Sequence, residues 1–421
     1  MTVGQRADDR RVVVTGMGAV TSLGTGIPDF ADSLRAGRSG IGPLKAFDPT
    51  GFAHGNAGEV GDFEAADWFR RADPQDYGRA AQFTVAASRQ AIQDAGLEDG
   101  QLRARRMLVS VGTTDGGTRD LDRLAELRFT TGEIRPDPQI AAKTGAQRLS
   151  DAVVDELDLE DVESVTVPVA CAAGNYAVGQ GVDALRSGEY DLALCGGADA
   201  LTRKTFAGFY RLGAMAPDLC RPFDTGRAGM LVGEGAGMLV LETLESALAR
   251  GARIHAEVLG YGLSCDASHP VAPERDGVAR AVAAAHRDAR VTGAQIDYIC
   301  AHGTGTKAND KVETAALRDV FGAELPPTSA IKSMLGHSMG AASALGAIAC
   351  VLAMNQRFLP PTANHRETDP DCAVDCVPNV AVAAEPVITQ NNGMAFGGNN
   401  AVLVLARFDL PVPAATPQEG T

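Results

Sequence analysis

The sequence predicts an α/β protein in which one unit is used twice, and three observations carry that prediction. Near-continuous apolar, β-branched runs recur along the chain, the composition of strands covered on both faces. Ala-rich stretches of helical character separate them, the alternation expected of a layered α/β structure. A weak internal repeat then sets the second half of the chain beside the first.

Taken in order, the strand-like runs of the first half are VVVTG at 12–16, MLVSVGT at 107–113, VESVTVPVA at 162–170 and YDLALCGG at 190–197. The second half opens with IHAEVLGYG at 254–262, which repeats the Gly-ended strand VVVTGMG at 12–18. YICAHGTGT then matches MLVSVGTTDGG, each an apolar strand running into a Gly/Thr loop. VPVACAAGNYAVGQGVDAL and AIKSMLGHSMGAASALGAIA are the two places where a strand turns sharply into a helix of small residues. This divides the chain into halves at 1–253 and 254–410, with 411–421 as a loose tail. It also puts Cys171 and His337 at equivalent strand ends, each at a helix amino terminus. Halves packed back to back would bring those ends together.

Composition narrows the function. The 421 residues are 45% hydrophobic and 22% charged, ordinary values for a globular chain and wrong for a fibre or a disordered tail. With 38 Lys+Arg against 53 Asp+Glu the formal net charge is -15, so the broad basic footprint of a nucleic-acid binder is missing. The apolar run Gly340–Met354 has 15 residues, short of the roughly 20 a membrane span needs, and reads as a buried helix. MTVGQRADDRR leads into VVV without a signal-peptide core, which reads as a cytoplasmic protein. The eight cysteines are then reduced thiols, not a disulfide framework. No His-x-x-His or His/carboxylate cluster stands at ligand spacing, and Cys372-x-x-x-Cys376 lacks a second pair, so no metal is expected.

Cys171 is the first candidate for chemistry. A cysteine chosen blindly is more often a buried structural residue, but here a β-branched strand meets a helix whose first turn is Ala-Ala-Gly. Such an elbow presents a nucleophile, and unpaired amides at a helix start favour thiolate over thiol. Two of the seven histidines, His302 and His337, sit in loops otherwise made of Gly, Ser and Thr. Either alone reads as a core histidine bonded to a carbonyl; both together, beside an elbow, point to a site. Lys332 precedes His337 and Glu313 follows His302 on a helix, so the two charges could pair in a buried place where each alone would be costly. With six Lys against 32 Arg in the chain, a lysine in apolar Ser/Gly surroundings is poor surface filler. In NNGMAFGGNNAVLVL at 391–405, Phe396 precedes a Gly pair. That loop has neither phosphate-cradling motif, and it can supply backbone amides to an oxyanion.

Together these segments resemble the elongating β-ketoacyl-ACP synthases of fatty-acid and type II polyketide synthesis. From about residue 11 to 408 the chain carries VVVTGMGAVTSLG, VACAAG, RPFDTGRAGMLVGEGAGMLVLE, AHGTGTKANDKVE, IKSMLGHSMGAA, PPTAN and FGGNN in the family's order. The resemblance implies a duplicated thiolase-type αβαβα five-layer fold, usually dimeric, that acts on acyl groups held by an acyl carrier protein. It implies that Cys171 accepts the acyl chain and that His302 and His337 promote decarboxylation of a malonyl extender. The N–H groups of Cys171 and Phe396 would form the oxyanion hole, and Lys332 and Glu313 would orient His337. Thr304 and Thr306 resemble hydroxyls that bond the phosphopantetheine arm, and Phe209 and Phe396 resemble gates over the acyl tunnel. No cofactor is implied beyond that arm.

Residue identities set neighbouring families aside. Thiolases have a second cysteine in the carboxy-terminal Gly loop, where this chain reads MAFGGNN; initiating synthases have Asn where it has His337; chain-length-factor subunits lack the nucleophile. The departures are also informative. Ala172 and Ala173 stand where the family has hydroxyl residues, and His269-Pro270-Val271 where it often reads His-Met-Thr, which puts in question a substrate or pantetheine contact at His269. Only Arg70, Arg71 and Arg79 remain as basic contacts in a segment that is basic in relatives docking acidic carrier protein. K-x-N-D-x-x-E-T at 307–314 leans to the polyketide ketosynthases. The leading expectation is therefore a type II polyketide ketosynthase, as a homodimer or a heterodimer with a chain-length-factor-like subunit. Primary fatty-acid elongation, a thiol acyltransferase or decarboxylase that no longer elongates, and a non-catalytic partner subunit are the alternatives.

Overall fold

The computed structural model describes residues 10–132 and 135–408; the tail expected from residue 411 lies outside the described residues. The continuous path of the large sheet takes five strands from the first half: β1 Val12–Thr21, β2 Met107–Gly112, β3 Val162–Val167, β4 Leu192–Asp199 and β5 Gly235–Thr243. Five come from the second: β6 Ala256–Cys265, β7 Tyr298–Cys300, β8 Thr328–Ser329, β9 Ile388–Met394 and β10 Asn399–Ala406.

The first set runs β3-β2-β4-β5-β1, and the second runs β8-β7-β9-β10-β6. Each strand of the second set thus repeats the place of the strand five before it. Directions repeat as well. β2 is parallel to β3 and β4, as β7 is to β8 and β9; β4–β5–β1 and β9–β10–β6 are antiparallel. β1 and β6 join the sets through a short antiparallel contact, Val12–Val14 against Ala256–Val258. The faint repeat of the sequence is therefore a full repeat of topology.

Helices complete five layers. α1 Arg79–Asp94 and α2 Arg148–Leu157 cover the outer face of the first set, and α4 Arg275–Ala289 with α5 Lys307–Phe321 covers the second. Between the sets lie α3 Ala173–Ser187 and α6 Ala341–Gln356, packed on each other and on strands of both. This placement explains the unpatterned apolar run: from Ala341 to Met354 every α6 residue is buried, so no face needs to be polar. α3 begins just beyond Cys171 and α6 just beyond His337, so the two central helix starts converge as the repeat predicts.

Two local expectations change. The strand at 162–170 stops at Val167, and Lys332 opens a one-turn helix, Lys332–Leu335, instead of ending a strand. There the Thr362 hydroxyl accepts the Ala330 N–H at 2.9 Å, turning the chain out of β8 after two residues of pairing.

Candidate active site

The elbow at Cys171 is built by backbone strain and small side chains. Ala170 has φ +53°, a left-handed conformation that costs a residue with a Cβ about 1–3 kcal/mol. A short helical turn, Ala170–Ala172, then feeds α3. The Gly174 N–H donates to the Gly340 carbonyl at 3.1 Å, and a Cβ on Gly174 would lie 2.6 Å from the Ala344 nitrogen. Only glycine allows the two helix starts this close. Ala172 and Ala173 are fully buried in the same seam, so the missing hydroxyls leave a packed apolar wall.

The thiol itself departs from the sequence expectation. Cys171 is 5% exposed, and burial pushes its pKa up to about 12; Lys332 pulls it down and Asp199 adds to the rise. Desolvation outweighs the helix-start amides, so the resting group is a thiol, not a thiolate.

His302 follows β7, and its loop is held from two sides. The His302 and Gly303 N–H groups donate to the two Glu313 oxygens at 2.7 and 2.8 Å, and the Asn392 amide donates to the same carboxylate at 2.9 Å. The Lys332 ammonium donates to the His302 carbonyl at 2.6 Å and stands 3.5 Å from Nδ1. An ammonium has only donors, so Nδ1 is the acceptor and Nε2 carries the hydrogen. Lys332 and Glu313 therefore serve His302. The expectation that they orient His337 is corrected, because the pairing of β7 with β8 sets Lys332 beside the His302 loop.

His337 is fixed by its own turn. Its N–H donates to Leu231 O at 2.7 Å, and its carbonyl accepts from Gly233 at 2.8 Å. Met339 N–H donates to Nδ1 at 3.2 Å, which again leaves the hydrogen on Nε2. The two rings lie edge to face with centroids 5.4 Å apart. Burial, with Lys332 nearby, holds both imidazole pKa values well below the usual range. Two neutral imidazoles, each with an Nε2–H donor, thus stand in one pocket.

That pocket is a cavity of about 180 Å³ lined by Cys171, His302, His337, Thr304, Thr306, Phe209 and Phe396, among others. The Thr304 and Thr306 hydroxyls are 2.9 Å apart, and Thr306 also caps α5 by accepting from Asn309. Phe209 and Phe396 pack with centroids 5.3 Å apart, and Phe396 is 37% exposed. Phe396 opens a short helical turn, so its N–H has no partner within that turn.

His269 does not line the cavity. Its Nδ1 accepts from Val271 and Ala272 at 3.1 and 2.9 Å, folding the loop so that Val271, Ala272 and Pro273 reach the pocket instead. The sequence reading also missed Met230 and Asn309 on the lining, and the buried Asp199, which resembled an ordinary strand-end carboxylate. Among the described residues no group of three or more His, Cys, Asp or Glu side chains is arranged to hold a metal.

Two family models match most of the chain. Residues 9–247 match the beta-ketoacyl synthase N-terminal domain and residues 255–366 the C-terminal domain. The chain belongs to the β-ketoacyl synthase family. It is 37% identical to the 3-oxoacyl-[acyl-carrier-protein] synthase 2 of Synechocystis sp. over 95% of this chain and 99% of that protein. A chain of the ishigamide ketosynthase/chain length factor superposes with a TM-score of 0.94 at 58% identity, covering 95% of this chain and all of that one. A chain from a type II polyketide acyl-carrier protein in complex with its ketosynthase bound to the hexaketide superposes at 0.87 with 29% identity, over 95% and 100%.

In this β-ketoacyl synthase, one of the arginines expected at a docking face is committed elsewhere. Arg79 donates to the fully buried Glu234 at 2.9 Å, a structural ion pair under the first sheet. Arg71 is half exposed and pairs with Asp158 across the surface, and Arg70 is exposed.

Proposed function

We infer that this β-ketoacyl synthase performs decarboxylative Claisen condensation of an acyl chain on Cys171 with a malonyl extender, in a type II polyketide pathway. One observation carries the chemistry: the Nδ1 atoms of His302 and His337 are both occupied by donors, so two Nε2–H groups are free to stabilise one oxyanion beside Cys171.

The cycle follows from those groups. The Cys171 sulfur attacks the carrier-bound acyl thioester, and its proton passes to the departing carrier thiolate. The Cys171 and Phe396 N–H groups hold the tetrahedral oxyanion. A malonyl thioester then enters, and its carbonyl oxygen meets the two Nε2–H donors. The bond to the carboxylate breaks, CO2 leaves, and the electron pair becomes an enolate stabilised by those hydrogen bonds. Neutral donors suit this step, since a carboxylate kept by an imidazolium would hold its charge and resist loss of CO2. The enolate carbon attacks the acyl carbonyl and expels the Cys171 thiolate, which takes one proton from solvent and so balances the carboxylate charge lost as CO2 leaves. The product is a β-ketoacyl thioester two carbons longer. Every acting group belongs to the chain or its substrates, so the reading calls on no resident cofactor.

Acyl carrier protein is the proposed donor of both thioesters. Likeness to a chain of the ishigamide ketosynthase/chain length factor supports a heterodimer with a chain-length-factor-like subunit, with a homodimer as the alternative. Primary fatty-acid elongation is the second reading, supported by the Synechocystis relative. No helix among the described residues is long and apolar enough to cross a membrane.

The test is peptide mass spectrometry of the chain after incubation with a panel of acyl-carrier proteins, with and without the candidate partner. An adduct confined to Cys171 and absent from Cys171→Ala is expected. Failure to load under both conditions would sink the condensing role.

A further inference from the structure

Asp199 ends β4 and is fully buried, and it does not line the cavity that holds Cys171, His302 and His337. Its carboxylate accepts four hydrogen bonds: from the Thr113 hydroxyl at 2.6 Å, Asp115 N–H at 2.9 Å, Thr114 N–H at 2.8 Å and Gly340 N–H at 2.6 Å. Three of these wrap the loop after β2 around it. The fourth reaches the start of α6.

Gly340 connects that carboxylate to both halves of the site. Its carbonyl accepts the Gly174 N–H, three residues beyond Cys171, and it closes the turn in which Met339 N–H holds the His337 ring. A Cβ on Gly340 would lie 2.8 Å from the Asp199 oxygen and 2.5 Å from Thr113 Cα, so the approach is as close as backbone permits. We propose that Asp199 is a positioning residue for the condensation, its carboxylate fixing the spacing between the Cys171 helix start and the His337 turn. The inference rests on the condensing function proposed above.

Three of the four partners are backbone N–H groups that can only donate, so the cage favours the ionised carboxylate; a protonated Asp199 has the Thr113 hydroxyl as its one acceptor, and that bond would have to reverse. The titratable groups around it are Asp115 on the wrapped loop, Lys204 donating to Asp115 at 3.0 Å from the helix Arg203–Arg211, and the Cys171 thiol. Burial, then the Asp115 charge, pushes Asp199 up to about 7, so its carboxylate forms across the neutral range. Turnover should then rise with pH through that range as the carboxylate forms.

The experiment measures CO2 release from malonyl-pantetheine by the full chain between pH 5.5 and 8.5. Asp199→Asn turns an amide toward donors and loses at least one bond. Its kcat is expected to fall about 10- to 100-fold with KM within about twofold, and the rise near pH 7 to vanish. Asp199→Glu should restore that rise. If Asp199→Asn does not fold, Thr113→Val decides, because losing one donor moves the rise to higher pH. A folded Asp199→Asn with wild-type kcat and pH profile, or an unmoved rise in Thr113→Val, would overturn the role. If the wild-type chain releases no CO2 either alone or with the candidate partner subunit, the condensing function fails, and the inference fails with it.

Discussion

Lys332 Nζ donates to the carbonyl of His302 at 2.6 Å and stands 3.5 Å from the Nδ1 of the same residue. One buried ammonium thus fixes both the position and the tautomer of that imidazole. Its charge also opposes protonation of the ring, adding to the effect of burial.

The first prediction follows from that charge. Lys332→Met removes a cation of similar length while keeping the packing, so the imidazolium form of His302 becomes less costly and its pKa rises. The His302 limb of malonyl decarboxylation, which lies on the acid side of the Asp199 rise near pH 7, should move to higher pH, and the maximal rate should fall about 10- to 100-fold as the ring loses its anchor. A pH–rate profile of the variant checks both effects. An unmoved limb would mean that Lys332 does not reach His302 in solution.

A second prediction concerns the thiol. Burial pushes Cys171 up to about 12, so thiolate is scarce throughout the neutral range. Alkylation of Cys171 by iodoacetamide, followed by peptide mass spectrometry, should therefore rise about tenfold per pH unit from pH 7 to 9. A plateau near pH 7 would place the thiolate at rest and restore the helix-start argument.

These two cases mark where the sequence is legible. Cys171, His302 and His337 could be named because chemistry-bearing residues stood where strand-to-helix turns and Gly-rich loops left their side chains uncrowded. Fold class was legible because the strand at 12–18 and the strand at 254–262 head the same order of elements. The ionisation of Cys171 was not, since burial is decided by α6 and β9, far away in sequence. Neither was the partner of Lys332, which depends on β8 lying beside β7. Asp199 escaped notice because a carboxylate after LALCGGA looks like a turn residue until Gly340 is seen above it. His269 misled for the opposite reason: its place in a family motif suggested a ligand contact, while its ring bonds its own loop.

The third prediction is thermodynamic. Asp310 is fully buried, accepts from the Phe223 N–H at 2.9 Å, and is pushed by burial from 3.8 up to about 6. The unfolded chain releases this proton near 3.8, so between about 4 and 6 the folded state holds more protons. Stability from this group is therefore present at low pH and lost as pH rises through 6, by no more than about 3 kcal/mol. Urea midpoints at pH 4.5 and 7 should fall more for the wild type than for Asp310→Asn. Equal changes in the two chains would contradict a raised Asp310.

The last prediction separates the two roles open to Glu313. Its carboxylate takes N–H groups from His302, Gly303 and Asn392, and Asn392 accepts in turn from Gln390, whose side-chain oxygen meets His286 at 2.7 Å. The chain of polar groups crosses the buried interior from α4 to the catalytic loop, so each member leaves a neighbour unpaired when removed. Glu313→Gln keeps one oxygen and should cost about 1–3 kcal/mol in urea unfolding; Glu313→Ala strands every donor and should cost more. If Glu313 acts only through the backbone of His302, both variants lose decarboxylation in proportion to how far the loop relaxes, while the pH dependence of the residual rate keeps its shape. A Glu313→Gln chain as stable as wild type but with an altered pH profile would instead make this carboxylate a participant in proton transfer.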